Sequence, residues 1–385
     1  MDDVRRILVL SDAHFGTPES SINSPDYASA LVEHIAGGAP WDEVVLTGDL
    51  LDMNLATLTR SIEGGKYPDL PAPLYGFRQF LDALDKSIRN RDPAAGLADV
   101  AGRWVYVPGN HDYKIWDMLA TKVVCEDVLH DGKPMGSIPT PLTHYTWLGL
   151  DSFFAGIFKS FHAHDRVIVT YPNHEVTIGD DLVLFTHGHY LDPSQTWRND
   201  LHAELSAPGS AEERATRIRN IYIETAQYQT AANAVSFTRR ARRFVNELVG
   251  PEGLWNKIQR LLLLLGGWVL RAVFLGDAPK RKSISKQLLL NIESYVTSFC
   301  ALRKVPRWFV FGHTHRQDVA RTPNLGIEVY NVGSFYSDRG MPLTFMEVDA
   351  PANAPPSFRL MCIDESGHVA VVSTSNGNGQ VDRAA

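Results

Sequence analysis

Ile7-Leu8-Val9-Leu10-Ser11-Asp12-Ala13-His14 decides how the rest of this chain is read. A short apolar run, the length of a buried strand, leads directly into an aspartate and a histidine two residues apart. Both are metal-ligand types. The arrangement recurs along the chain. Val44–Leu46 leads into Gly48-Asp49-Leu50-Leu51-Asp52, and Trp104–Val107 into Gly109-Asn110-His111-Asp112. Leu182–Phe185 leads into His187-Gly188-His189, and Trp308–Phe311 into Gly312-His313-Thr314-His315. Five strand ends that each deliver Asp, Asn or His to one place would build a metal site at the carboxyl edge of a sheet.

Working outward from these motifs, residues 1–189 alternate strand-like runs at 6–11, 44–48, 104–108 and 182–186 with helical or loop segments near 26–36, 76–90 and 114–121. That alternation predicts an α/β layered fold. From 190 to 305 the patterned strands vanish and the periodicity becomes helical, with candidate helices near 211–232, 234–248, 254–275 and 285–302. The first opens on Ser210-Ala211-Glu212-Glu213, with acidic residues in its first turn. Strand patterns return at 308–311, 328–332, 343–348, 357–363 and 368–373. The expected organisation is a catalytic domain made of 1–189 and 306–374, a helical cap inserted at 190–305, and a disordered polar tail at 375–385.

The chain is 385 residues long, enough for one large α/β domain with an insertion. It is 44% hydrophobic and 21% charged, which predicts an ordinary packed core. Its net charge of −7 gives no global reason to expect a nucleic-acid partner. The charge is unevenly placed. Segment 190–305 holds 17 Lys and Arg against 10 Asp and Glu, a balance of +7 that leaves −14 for the rest. Cys125, Cys300 and Cys362 lack metal-type spacing and read as reduced thiols. No signal peptide is recognisable before Ile7, so the expected location is cytoplasmic.

Asp12, His14, Asp49, Asn110, His187, His313 and His315 make seven potential ligands, too many for one closed tetrahedral site. They suit two adjacent ions, which clamp a phosphoryl group when about 3.5–4 Å apart. Asp49 is suited to bridging them, because a carboxylate has lone pairs for both ions. Asn110 offers a neutral oxygen and leaves more positive charge for an anionic substrate. Two other patterns read as structural or surface features: Phe161-His162-Ala163-His164, which has no further ligand near it and reads as loop surface or a structural pair, and the lone His174, structural or solvent-facing. Asp112 reads as a helix N-cap or as a support for the ligands.

The ordered motifs D-x-H, GD-x-x-D, GNH-D, H-G and GH-x-H resemble those of the calcineurin-like metallophosphoesterases, over roughly 1–190 and 306–350. Asn331-Val332-Gly333-Ser334 is similar to a segment that often follows the last motif. The resemblance implies a four-layer α/β/β/α sandwich. It implies that Asp12, His14 and His315 hold one ion, that Asn110, His187 and His313 hold a second, and that Asp49 bridges them. It also implies that His111 is the catalytic histidine, oriented by Asp52. His189 stands where this chain departs from the common pattern and is a candidate substrate contact or a support for the ligands. The implied reaction is hydrolysis of a phosphomonoester, phosphodiester or pyrophosphate bond by in-line attack of a metal-bridging hydroxide. The implied cofactors are two divalent ions, Mn²⁺ first, with Fe or Zn²⁺ as alternatives.

The layout is most similar to that of UDP-2,3-diacylglucosamine diphosphatase-type enzymes, which also carry a helical insert between the last two motifs. Tyr171-Pro172-Asn173-His174-Glu175 and Leu182–Gly188 add to that similarity. It implies a lipid-linked or amphipathic phosphorylated substrate. A soluble nucleotide or cyclic-nucleotide substrate is the alternative, as is an interaction protein whose insert docks a partner or a membrane. The apolar run Leu261–Leu275 is shorter than the ~20 residues of a spanning helix and is interrupted by Arg271. It reads either as a core helix of the insert or as peripheral membrane contact through 254–276. Arg239-Arg240-Ala241-Arg242-Arg243 and Lys280-Arg281-Lys282 fit either anionic headgroups or a solvated face.

Overall fold

Alternating side chains along the apolar runs decide the architecture. The computed structural model describes residues 4–17, 20–53, 72–113, 115–116, 125, 129–132, 145–148, 153–191, 209–210, 213, 284–299, 304–335, 343–351, 354–376 and 380–383. In β1 (Val4–Leu10), Ile7 and Val9 face one way and Leu8 and Leu10 the other. The same split occurs in β2 (Trp41–Leu46) and β3 (Ala101–Tyr106), where Val45 and Val105 oppose Val44, Leu46, Trp104 and Tyr106. Both faces are buried, which is why these runs read as continuously apolar instead of alternating with polar residues.

The described residues form a mixed α/β structure with two sheets. The larger sheet adds β4 (Tyr145–Leu148), β5 (Val167–Tyr171), β11 (Leu343–Pro351), β12 (Ser357–Ile363), β13 (Val369–Asn376) and β14 (Gln380–Arg383). Its order is β14-β13-β12-β11-β1-β2-β3-β5-β4. The smaller sheet contains β6 (Asn173–Ile178), β7 (Asp181–Thr186), β8 (Trp308–Phe311), β9 (Asp318–Arg321) and β10 (Glu328–Asn331), in the order β6-β7-β8-β10-β9. Ile7, Val9, Val45 and Val105 from the first sheet meet Val183, Phe185, Val310 and Tyr330 from the second in one apolar cluster between the sheets. Burying each such side chain stabilises the fold by roughly 1.5–3 kcal/mol.

The outer face of the larger sheet is covered by α1 (Pro25–Gly38), α2 (Ala72–Arg91) and the short α3 (Phe153–Ile157). Pro25 starts α1 with its ring fixing a helical φ, and Leu31, Val32, Ile35 and Ala36 line its buried face. In α2 the buried face is Leu74, Phe77, Leu81, Leu84 and Ile88, at three- and four-residue spacing. α4 (Lys286–Phe299) packs Leu288, Ile292, Tyr295 and Val296 on the outer face of the smaller sheet, against Leu184, Phe309, Phe311 and Val329.

Parallel pairing sets the site's position. β1, β2 and β3 are parallel neighbours, with Leu10 opposite Leu46 and Leu46 opposite Tyr106. β7 and β8 are parallel in the other sheet, with Thr186 opposite Phe311. The five motifs therefore leave the carboxyl ends of five strands, three in one sheet and two in the other.

Strands β4, β5, β6 and β9 were not expected. The tail is a correction: instead of being disordered throughout 375–385, it carries β14, which pairs antiparallel with β13 from Ser373↔Arg383 to Asn376↔Gln380. Polar composition suggested disorder, but β13 leaves an open edge of backbone donors and acceptors that a short polar strand satisfies. Of the expected cap, only α4 and a few isolated positions are described. The helices expected at 211–232, 234–248 and 254–275, the run Leu261–Leu275 and both basic clusters lie outside the described residues, as does most of 114–121. No described helix is long and apolar enough to cross a membrane.

Candidate metal centre

The five loops are laced together by backbone hydrogen bonds before any side chain is considered. The first runs alongside the second: Asp12 N donates to Gly48 O at 3.0 Å, His14 N to Asp49 O at 2.8 Å, Phe15 N to Leu50 O at 2.8 Å, and Asp52 N to Phe15 O at 3.0 Å. The fifth loop joins the fourth through Gly312 N and His187 O at 3.2 Å, and the segment after β10 reaches the first through Phe335 N and Asp12 O at 3.1 Å. This lacing holds the backbone in an uncommon state. Asp12, His14, Asp49, His313 and His315 all have positive φ, between 47° and 68°. Such strain in non-glycine residues persists only where surroundings over-determine it, and it concentrates at functional sites. Gly48 is required for a related reason. Its φ is +82°, and a Cβ there would lie 2.7 Å from the His187 side chain.

The lacing brings the side chains together. His315 Nε2 is 3.2 Å from Asp12 Oδ1 and 3.2 Å from His14 Nε2. His187 Nε2 is 3.2 Å from Asp49 Oδ2 and 3.0 Å from Asn110 Oδ1. His14 Nε2 is 3.9 Å from Asp49 Oδ2, which links the two halves. Three ligand groups result, with their donor atoms all within 4.8 Å in each: Asp12, His14 and His315; His14, Asp49 and His111; Asp49, His187 and His313. All seven residues expected as ligands are therefore neighbours. Asp12, Asp49 and His187 are buried, while Asn110, His313 and His315 are partly open to solvent.

The donor set fits divalent metal ions. It consists of carboxylate oxygen, amide oxygen and imidazole nitrogen, the mixture that suits Mn²⁺, Fe or Zn²⁺. His187 Nδ1 donates to Thr47 O at 2.9 Å, which turns the Nε2 lone pair toward Asp49 and Asn110, as a ligating histidine requires. Burial, helped by the neighbouring His111, lowers His14 to about 3 and keeps it neutral. Burial would lower His187 too, but Asp49 and Asp12 outweigh it and raise it to about 9. Two buried carboxylates thus draw a proton to the place where a cation would be held.

His111 stands at the edge of the cluster, 31% exposed, with Nδ1 3.1 Å from Asp52 Oδ1 and Nε2 4.0 Å from Asp49 Oδ2. Burial acts to lower its pKa, and Asp49 together with the Asp52 hydrogen bond overcomes that, raising it to about 9. His111 is therefore protonated at neutral pH, with Nε2 directed toward the cluster. His189 is buried, with Nε2 3.4 Å from the Tyr171 hydroxyl and its ring centroid 5.4 Å from that of His187. It backs His187 and His313 and does not face open solvent.

Several supporting contacts were not legible in the sequence. Ser11 Oγ donates to Asp12 Oδ2, and His313 N donates to the same oxygen at 2.9 Å. Asn331 Nδ2 bonds Thr314 Oγ1 at 2.5 Å, while Asn331 Oδ1 accepts from Gly333 N at 3.0 Å. Its place in Asn331-Val332-Gly333-Ser334 was the available signal. Asp112 caps no helix with its side chain. It accepts backbone N–H bonds from Gly109, Leu50 and Leu51 at 2.5, 2.8 and 3.2 Å.

Comparison with known proteins agrees with this geometry at the family level. The family model described as calcineurin-like phosphoesterase matches residues 5–317. No curated protein sequence matches the chain. Among solved structures, it is similar to a dimetal phosphatase from Danio rerio (11% identity, 93% of this chain and 96% of that one, TM-score 0.37). It is similar also to GAP50 of Plasmodium, the anchor in the inner membrane complex (12%, 97% and 88%, TM-score 0.38). A third is the phosphopantetheinyl hydrolase PptH of Mycobacterium tuberculosis (12%, 87% and 91%, TM-score 0.29). Likeness at this level carries no conclusion about the present chain. The family match does: the chain belongs to the calcineurin-like phosphoesterase family and is a metal-dependent phosphoesterase.

Proposed function

We propose that this calcineurin-like phosphoesterase works with two divalent metal ions. Asp12, His14 and His315 would hold one, Asn110, His187 and His313 the other, with Asp49 shared. The observation that carries this reading is the overlap of the ligand groups: Asp49 belongs to two of them, and His14 joins the two halves. Bound there, the ions would supply an activated water and offset charge on the phosphoryl group.

The protein's own contribution centres on His111. Asp52 accepts from Nδ1, fixes the ring's tautomer and favours its protonated form. Nε2 is then left to donate, and the proton passes from Nε2 to the leaving oxygen of the ester. His189 supports His187 and His313 from behind in place of touching substrate. The hydrolysed bond is a phosphomonoester, phosphodiester or pyrophosphate linkage.

We assign the catalytic domain to 1–189 with 306–374, and substrate selection to the insertion at 190–305. The insertion carries a local balance of +7 and the apolar run Leu261–Leu275 in a chain that is −7 overall. Those features support an amphipathic or lipid-linked phosphate, as in the UDP-2,3-diacylglucosamine diphosphatase layout. The decisive experiment pairs elemental analysis with hydrolysis of p-nitrophenyl phosphate and its bis-aryl analogue in Mn²⁺. Two bound ions and turnover, both lost in Asp49→Ala, are expected. Metal-free protein with no turnover of either ester would end this reading.

A further inference from the structure

We propose that Asp112 is a positioning residue that clamps the second ligand loop to the third, and so sets the register of the His111–Asp52 pair. The catalytic consequence rests on the phosphoesterase reading above, but the clamp itself does not.

Asp112 is fully buried. One carboxylate oxygen takes the Gly109 N–H of its own loop, and the other takes Leu50 N–H and Leu51 N–H of the neighbouring loop. The connection is reciprocal. Asp49, in the second loop, uses Oδ1 to accept the N–H of His111 in the third at 2.7 Å. Met53 N, just past Asp52, donates to His111 O at 3.2 Å. Each loop thus sends a carboxylate to the other's backbone, and the two bracket His111 and Asp52, whose side chains meet at 3.1 Å.

The alternative role, a helix cap, does not describe the contacts. Ile115 N bonds the Asp112 main-chain carbonyl, and the side-chain oxygens point back to the ligand loops. The three donors face a group that only accepts. An amide at this position would present N–H to at least one of them, so Asp112→Asn breaks the clamp while keeping the side chain's size. Asp112→Glu keeps the acceptors but pushes them out by one methylene.

The test compares wild type, Asp112→Asn and Asp112→Glu by three measurements. Amide hydrogen exchange at Leu50 and Leu51 reads the clamp directly. Calorimetric Mn²⁺ titration reads its effect on the ligands. The ratio of kcat for an alkyl phosphate to kcat for p-nitrophenyl phosphate reads His111, because only a poor leaving group needs a strong proton donor. In Asp112→Asn we expect faster exchange at both amides, Mn²⁺ affinity lower by roughly 10–100-fold, and a kcat ratio lower by about tenfold with KM little changed. The clamp proposal is overturned by unchanged exchange, and equally by a lowered Tm with wild-type Mn²⁺ affinity and kcat ratio, which is a merely structural role. Should Asp112→Asn not fold, Asp112→Glu is judged on the same readouts. Wild-type protein without turnover or Mn²⁺ binding would remove the phosphoesterase reading and leave the clamp to be decided by exchange alone.

Discussion

Glu43 within β2 and Asp49 beyond its carboxyl end are both buried carboxylates, yet their surroundings differ in kind. Glu43, within β2, is 2% exposed and is met by Arg5 at 2.5 Å, His174 at 2.7 Å and Arg103 at 3.9 Å. Burial tends to raise its pKa, and His174 and Arg5 hold it below the usual carboxylate range. Asp49, three residues past the strand's end, is equally buried, but its ion-pair partners among the described residues are His14, His111 and His187. The chain neutralises Glu43 with its own permanent cations. Around Asp49 and Asp12 it supplies groups that are neutral at their ordinary pKa and become cationic only by drawing protons. A buried acid with arginine partners is a structural lock, whereas one ringed by histidines is suited to holding a cation.

Removing each acid in turn separates the two roles. Asp49→Ala should lower turnover by about 10³-fold or more, because both proposed ions lose a ligand. It should also lower the Tm of metal-free protein, since His187 and the His111 N–H lose their buried partner. Glu43→Gln should leave turnover within a few-fold of wild type. Identical losses of activity in the two variants would show the distinction to be false.

His111→Ala comes next. It should reduce kcat by roughly 10²–10⁴-fold on alkyl phosphates with metal content retained, since His111 is proposed to donate a proton and not to ligate metal. Loss of bound metal in this variant would move His111 into the ligand set.

Protons and metal should compete. His187 is raised to about 9, so at neutral pH it carries a proton that a ligating nitrogen must lose. Metal binding should therefore release protons, visible as calorimetric heats that depend on buffer ionisation. Affinity should weaken about tenfold per pH unit below that value. An affinity independent of pH between 6 and 8 would argue against His187 as a ligand.

The smallest effect is the stability loss in Glu43→Gln, of roughly 2 kcal/mol. That is less than for a fully buried pair, because Arg5 and Arg103 are partly solvated. The sign follows from a lowered folded-state pKa. Glu43 stabilises above the unfolded value of about 4.5 and loses that contribution as pH falls through its folded value. Urea unfolding of wild type should weaken across that acid window, and Glu43→Gln should flatten the change.

Strong local patterns explain what was legible beforehand. Ile7–Leu10, Val44–Leu46 and Trp308–Phe311 announced buried strands, and the Asp, Asn and His residues after them announced ligands. β4 and β9 are short, four-residue strands at sheet edges, where a pattern has little length in which to declare itself. β14 was illegible because Gln380-Val381-Asp382-Arg383 becomes a strand only through the open edge of β13. Asp112 carried a motif signal but no hint of its partners, since Leu50 and Leu51 are about sixty residues away and offer backbone groups that any sequence would offer.

By itself, then, the sequence determined the ligand chemistry, the strand-end placement of each motif and the α/β class, because those depend on residue type and on periodicity over a few positions. Tertiary structure alone decided which candidate ligands share a neighbourhood, why the pKa values of His187 and His111 are raised, and which buried acid is met by arginine and which by histidines. Those depend on distances and burial. Both arise when two sheets close over a common apolar layer and bring five loops, from Asp12 to His315, to one edge.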